Sequence, residues 1–446
     1  ISPGVIHLNE GHSAFAPLEY ARHLMTEHGL SFEQARMQSR SRTVFTTHTP
    51  VVAGHDRFSS DLMGKITWKY RESLGVTHEQ LMDLGRVRPG DDHETFCMTV
   101  LALKTASRSN GVSFIHGQVS RQMWNQLWPD SPPQHVPIGH ITNGINVLGW
   151  LAPPMRRLFD QYFTPDWKQR IGKEEVWQQI HAIPDEELWN TAMLLKARLL
   201  AFLPRLPHRA HPEGIKLDPR VLTIGFARRF AGYKRATLLL DDPDRFAKLL
   251  SDPARPVQII FSGKAHPRDS IGQEMVKKVY RSLTDPRFSG KLVFIEDYDV
   301  NVARHLVQGV DLWLNTPRQA FEASGTSGMK VALNGGLNLS ILDGWWPEGY
   351  DGNNGFGVRG SRNENDQVRD GHDREALYET LEQEVIPLYY KQDTEGVPGG
   401  WVHRMKEAMC TLGWRFSSDR MVIDYATHCY LPAGGISTCQ MDAPFV

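Results

Sequence analysis

Cysteine is scarce, with four residues in 446: Cys97, Cys410, Cys429 and Cys439. They form no CxxC pair and no metal-finger spacing, which argues against a structural zinc site or a redox dithiol. A chain of this length needs no disulfide staples, so a reducing cytoplasm is the expected setting. No apolar run approaches the length of a membrane span and no signal-peptide pattern is present, so no membrane partner is expected. Charge of one sign is missing as well. Fifty Lys and Arg stand against 51 Asp and Glu, a net −1 that offers a nucleic acid no electrostatic footprint. There is no internal repeat and no low-complexity block. The chain also lacks an initiator Met: it opens ISPGVIHLNEGHSAF and runs at once into a motif, as the interior of a longer protein would.

What is present is ordinary globular composition, 40% apolar and 23% charged, with length for two to three domain-sized units. VIHLNEGHSAFAPLEYARHLM reads as a strand, a turn around Glu10-Gly11-His12, and an amphipathic helix to about Met25. TVFTTHTPV (43–51) reads as a short strand ending in a His-Thr-Pro loop, followed by irregular polar sequence to about residue 92. A helix then leads into SRSNGVSFIHGQVS, ITNGINVLGWLAPP reads as a loop, and 173–206 is helical by pattern. Beyond it the texture changes. VLTIGFA (221–227), VQIIFSG (257–263), KLVFIED (291–297) and DLWLN (311–315) are short apolar runs separated by helical stretches. That alternation predicts an α/β fold with a parallel sheet, whose ligands bind beyond the carboxyl ends of the strands.

Two loops at such ends carry the chemistry. After VLTIGFA come Arg228, Arg229 and Lys234, three cations within seven residues and suited to phosphate, although a solvated basic loop has the same composition. NTPRQAFEASGTSGMKVALNGG (315–336) has the Gly and Ser content that lets backbone N–H groups approach an anion, and it runs into a helix start. Glu322 is a carboxylate able to accept from sugar hydroxyls. Lys330 precedes the apolar Val331-Ala332-Leu333, where burial would depress its pKa and favour imine formation with an aldehyde cofactor. Taken alone, Lys330 could equally be a helix-surface lysine.

EASGTSGMKVALNGG, with RRFAGYK upstream, resembles the α-glucan (glycogen and maltodextrin) phosphorylases. HLNEGHSA, TTHTP, SNGVSFIH, TNGI, SGKAHP, FIEDYDVNVARHLVQGVDLWLN and SILDG have counterparts in order, from Val5 to about Pro432. AGHDRF, SGKAHPRD and DGWW resemble the shorter bacterial and archaeal branch. The resemblance implies two Rossmann-like domains in the glycosyltransferase B-type arrangement. The first is expected only as its C-terminal portion (1–110), and the second (111–446) as the part that binds pyridoxal 5′-phosphate and phosphate. It implies reversible, retaining phosphorolysis of α-1,4-glucan by inorganic phosphate to glucose 1-phosphate, with the cofactor's 5′-phosphate shuttling the proton, in a protein that is a homodimer at full length.

Residue by residue, Lys330 matches the lysine that holds the cofactor as a Schiff base. Thr326, Ser327 and Arg228 match contacts to the cofactor phosphate, where animal enzymes carry Lys at the position of Arg228. Tyr298 matches an aromatic lining the cofactor pocket. Arg229 and Lys234 match the pair on the substrate phosphate. Glu322, Ser324 and Gly325 match contacts to the glucosyl 2-, 3- and 4-positions, with Tyr233 near the 2-hydroxyl. His48 and Asn110 match contacts to the 6-hydroxyl, the His48 carbonyl facing the oxocarbenium-like sugar, and His12 matches a substrate-side residue.

Gly232 stands where animal enzymes have a carboxylate, and Gly328 replaces an Asn. Family members also carry several hundred residues ahead of the HLNEGH segment, including a glycine-rich loop on the cofactor phosphate. Two other readings follow from the same residues. A nucleotide-sugar glucosyltransferase of the glycogen or starch synthase type would share the basic pair and the Glu-bearing loop but has no use for Lys330. An inactive glucan-binding module would bind glucan without releasing glucose 1-phosphate.

Overall fold

The computed structural model describes residues 3–206, 209–210, 217–363 and 365–436, so Cys439 lies outside the described residues. The chain divides into two compact units: Ile1–Asn143 together with Met421–Val446, and Gly144–Arg420.

The first unit contains β1 (Ile6–Asn9), β2 (Thr43–Thr46), β3 (Arg57–Phe58), β4 (Phe96–Cys97), β5 (Arg108–Gly111) and β6 (Ile138–His140). Four of these form an all-parallel sheet in the order β1-β2-β5-β6, and β3 and β4 pair as an antiparallel ribbon. Every residue of β2 is buried, as a strand covered on both faces requires. The expected first helix is Ala16–His28, with Pro17 in its first turn, Leu18, Ala21 and Leu24 on its buried stripe, and a left-handed Gly29 ending it. The segment expected to be irregular to residue 92 instead contains helices Ser60–Leu74 and His78–Gly85. Ser59 caps the first, and Thr77 with Gln80 forms a capping box on the second. Those start signals outweigh the scattered glycines that suggested a loop. The boundary expected after residue 110 differs from the edge of the compact unit, which runs on to Asn143 because β6 pairs with β5. Residues from Met421 rejoin this unit, where Tyr425, Cys429 and Ala433 pack on Val44 and Ile141.

The second unit holds β7 (Arg209–Ala210), β8 (Leu222–Ala227), β9 (Val257–Ser262), β10 (Leu292–Ile295), β11 (Leu312–Asn315), β12 (Leu337–Ile341) and β13 (Phe356–Val358). Their spatial order is β13-β12-β11-β8-β9-β10-β7, with only β7 antiparallel. From β8 the chain builds outward through β9 and β10, then returns to the other side of β8 and builds outward through β11, β12 and β13. This is the Rossmann order, and the reversal between β8 and β11 is the switch point where such sheets bind ligands.

The register explains why a crevice opens there. β8 pairs with β9 along all of Leu222–Ala227, but with β11 only through Ile224–Leu312 and Gly225–Trp313. At the amino ends the two strands are tied by Asp311. Its N–H donates to the Thr223 carbonyl (3.1 Å), and its Oδ2 accepts from the Thr223 N–H (2.7 Å) and from Lys196 Nζ (2.6 Å). Lys196, on the helix Asp185–Phe202, also donates to the Tyr389 hydroxyl at 2.8 Å. That helix is the main part of the helical stretch expected over 173–206, which Pro184 interrupts by standing at the helix start. Among the described residues no helix is long and apolar enough to cross a membrane, and no group of three His, Cys, Asp or Glu could hold a metal ion.

Removing one member of a buried ion pair strands the other charge. Lys196→Met is therefore expected to cost about 3–5 kcal/mol of unfolding free energy, measured by denaturant titration. Lys196→Met combined with Asp311→Asn should recover much of the loss, because the amide oxygen still accepts from Thr223.

Candidate active site

The crevice between the carboxyl ends of β8 and β11 brings together six of the predicted residues, Arg228, Lys234, Tyr298, Glu322, Gly325 and Ser327. Arg228 leaves β8, and its guanidinium bridges the gap: Nη1 donates to Asn315 Oδ1 at the end of β11, and Nη2 donates to Glu322 Oε2. Two of its five N–H donors are thus engaged, leaving three for an anion. Lys234 Nζ lies 3.8 Å from the other Glu322 oxygen. All three side chains are largely buried, at 13%, 13% and 8% exposure for Arg228, Lys234 and Glu322. Burial alone would push the Glu322 carboxyl up, but Arg228 and Lys234 outweigh it and hold the group ionised, below its usual range. Lys234 is displaced the other way. Burial and the neighbouring Arg228 guanidinium lower it to about 8, against a weaker upward pull from Glu322.

Next to this cluster is a cavity of roughly 210 Å³ whose lining includes Arg228, Lys234, Tyr298, Glu322, Gly325 and Ser327. Tyr233 stacks at 30° on Phe321 with ring centroids 6.3 Å apart, and burial raises its phenol pKa. Arg229 is on the exposed side of the loop. Ser324 is buried and its Oγ has no hydrogen-bond partner. Gly325, at φ +78°, lets the loop turn beside Glu322 in a left-handed conformation that suits glycine. Thr326 stands at the start of the helix Ser327–Leu333, with Ser327 and Gly328 in its first turn. Gly328 is closely packed: a Cβ there would fall 2.2 Å from Asn338 Oδ1, so the Asn338 side chain would have to move.

Lys330 projects from that helix with Nζ 4.1 Å from the centroid of the Trp150 ring. Burial lowers its pKa. Trp150 is fixed relative to Lys330 by Asn334, whose Nδ2 donates to the carbonyls of both Trp150 (3.1 Å) and Lys330 (2.8 Å), while its Oδ1 accepts from Ala152 N (2.7 Å). A lysine held on an aromatic face with a depressed pKa is suited to condense with an aldehyde. The donor set is therefore compatible with a phosphate-bearing aldehyde cofactor. Sequence reading missed Trp150, Asn315 and Asn334. The Trp-Leu-Ala-Pro punctuation after Gly149 was the only local signal for the first, and the other two take their place in the site through Arg228, Trp150 and Ala152, far away in sequence.

The remaining predicted residues, His12, His48 and Asn110, belong to the first unit. Glu10, in a left-handed conformation at φ 76°, accepts at Oε2 from His48 N (2.6 Å) and Thr49 Oγ1 (2.9 Å). It thereby fixes the His-Thr-Pro loop. The His48 ring pairs through Nε2 with Asn9 Oδ1, and burial lowers its pKa. His12 is exposed on the turn Gly11–Ser13. Asn110 is completely buried. Its Nδ2 donates to Gly111 O (2.9 Å) and Tyr425 Oη (3.1 Å), and its Oδ1 accepts from Thr46 Oγ1 (2.9 Å). Both amide hydrogens are committed, so any sugar hydroxyl it meets must donate to Oδ1.

Lys234 can attract an anion only as the ammonium, the form that prevails below about 8. Affinity for inorganic phosphate, measured by calorimetry, should therefore fall as pH rises through that value, approaching about tenfold per pH unit, the limit for one linked proton. Lys234→Arg should flatten the fall.

Residues 2–348 match the family described as carbohydrate phosphorylase. The chain is 43% identical over 440 residues to a maltodextrin phosphorylase of Thermococcus litoralis, covering 97% of this chain and 51% of that protein. It is 41% identical over 449 residues to a glycogen phosphorylase of Mycobacterium tuberculosis, again covering 97% and 51%. Against a glycogen phosphorylase of Aquifex aeolicus it is 39% identical, with 96% and 63% covered. The chain spans about half the length of the first two of these relatives.

Proposed function

This chain belongs to the carbohydrate phosphorylase family, and from that premise we propose that it carries the cofactor- and phosphate-binding machinery of an α-1,4-glucan phosphorylase. The reaction is reversible, retaining transfer of the terminal glucosyl unit from glucan to inorganic phosphate, giving glucose 1-phosphate. The observation that carries this reading is the coexistence of Lys330, buried against Trp150, with Arg228 and Lys234 around Glu322. A nucleotide-sugar synthase would need the cations and the carboxylate but no aldehyde-reactive lysine.

In this reading Lys330 tethers pyridoxal 5′-phosphate, Tyr298 lines its pocket, and Thr326, Ser327 and Arg228 hold its phosphate. Bound there, the cofactor would supply a phosphate able to act as a proton donor and acceptor toward the substrate phosphate. The chain's own residues do the rest. Arg229 and Lys234 neutralise the substrate phosphate and hold it beside the cofactor's, which two adjacent anions could not do unaided. Glu322 accepts from the sugar hydroxyls as a carboxylate, with Ser324, Gly325 and Tyr233 completing that side. The unpartnered Ser324 Oγ supports its assignment, since a buried hydroxyl without a partner is costly until a ligand fills the gap. His12, His48 and Asn110 supply the 6-hydroxyl and substrate-side contacts, His48 through its carbonyl as well. We place the protein in the cytoplasm, as a homodimer at full length.

Lys330→Ala should abolish covalent attachment of pyridoxal 5′-phosphate, read as the mass added after borohydride reduction, and should abolish glucose 1-phosphate release. Wild-type protein that takes up no cofactor mass, or a Lys330→Ala variant that still does, would overturn the assignment.

A further inference from the structure

The loop that carries Glu322 is bent unusually. Ala320, a residue with a side chain, sits in the left-handed region at φ +72°, which costs roughly 1–2 kcal/mol without compensation. The bend turns two successive N–H groups, those of Phe321 and Glu322, toward one point. Asp343 Oδ2 occupies that point and accepts from both, at 3.1 and 2.8 Å. Consecutive N–H groups converging on one anion form a nest, here filled by the protein's own carboxylate.

Asp343 comes from a separate element, the turn just after β12. Two neighbouring residues attach the same turn to the same loop. Trp345 N donates to the Ser324 carbonyl at 3.0 Å. Gly344, at φ +59°, approaches so closely that a Cβ would fall 2.3 Å from that oxygen. Three consecutive residues of one turn thus grip the sugar-side loop at Phe321, Glu322 and Ser324. Asp343 is almost fully buried, and its second oxygen, Oδ1, has no hydrogen-bond partner.

We propose that Asp343 is a positioning residue for Glu322. By filling the nest it holds the backbone at which the Glu322 side chain begins, so that the carboxylate projects toward the sugar while Arg228 and Lys234 keep it ionised. The proposal rests on the phosphorylase reading for the identity of the sugar ligand. A supporting property is the proton on Asp343. Burial raises its carboxyl to about 7, the N–H groups of Glu322, Gly344 and Ala320 oppose the rise, and the facing charge of Glu322 adds to it. An acid raised on folding stabilises the fold fully at low pH, and that stabilisation is lost as pH rises through the folded-state pKa.

The test uses the holoenzyme and three variants, Asp343→Ala, Asp343→Asn and Asp343→Glu, with glucose 1-phosphate as probe. Covalent cofactor load is read by mass, glucose 1-phosphate affinity by calorimetry, and KM and kcat by glucan synthesis. Asp343→Ala should keep its cofactor yet bind glucose 1-phosphate about tenfold more weakly or worse, with a raised KM. Asp343→Asn keeps an acceptor for both N–H groups, so it should stay within about threefold of wild type. It should also lose the decline in unfolding stability that wild type shows as pH rises through about 7. If the Ala variant fails to fold, Asp343→Glu decides, since one extra methylene displaces the acceptor and should weaken binding. Unchanged affinity in a folded Ala or Glu variant, or an Asn variant as weak as Ala, overturns the proposal. A wild-type protein that takes up no cofactor overturns the phosphorylase reading instead, and the two failures are therefore distinguishable.

Discussion

The functional half of this molecule depends on strands that are joined at one end and free to part at the other. β8 and β11 share only two residue pairs, and the Asp311 carboxylate, secured by Lys196, clasps Thr223 where the strands begin. With the amino ends fixed, the strands part only toward their carboxyl ends, beyond the Gly225–Trp313 pair. Arg228 and Asn315 emerge on either side of that gap, and the guanidinium spans it. A buried ion pair is a poor source of net stability. Here its value is geometric, because it fixes which end of the switch point opens.

Within the gap, charges are arranged to remain charged. Glu322 is almost completely enclosed, a setting in which a lone carboxyl would take up a proton, and two cations prevent this. The same enclosure, with Arg228 beside it, loosens the proton on Lys234. A carboxylate that needs cations to stay ionised, beside cations that suit an incoming anion, gives a site whose electrostatics are completed by its ligand. Lys330 stands apart from this cluster on an aromatic face, where burial alone acts on it.

Much of this was legible in the sequence, and the reasons it was are local. β8, β9, β10 and β11 announce themselves as short runs of large apolar residues. Arg228, Arg229 and Lys234 fall within seven positions, and Glu322 to Lys330 within nine, so each group reads as a unit. What escaped notice depends on distance along the chain. Asn334 earns its role by reaching back to Trp150 and Ala152, and Asp343 by reaching back to Phe321 and Glu322, with no motif to mark either partnership. β12 was hidden because SILDG read as a motif rather than as the end of a strand. Helices Ser60–Leu74 and His78–Gly85 were overlooked where their caps should have been weighed above the glycines. The burial of Asn110 could not be foreseen, since its amide is saturated by Tyr425, 315 positions away.

That last contact has a bearing on how the molecule is made. The first unit is discontinuous: its strands β1 to β6 are all made before the second unit, but the residues that cover Val44 and Ile141 and supply the Tyr425 hydroxyl come after the entire second unit. The Gly144–Arg420 unit is continuous and can close as it leaves the ribosome, as domains generally fold in units during synthesis. The earlier-made unit must wait, with the Thr46–Asn110 hydrogen-bond pair lacking its tyrosine and Val44 uncovered, until the stretch from Met421 is translated. Of these two units the one whose synthesis starts earlier is thus finished later, and its maturation is timed by the length of the unit inserted into it.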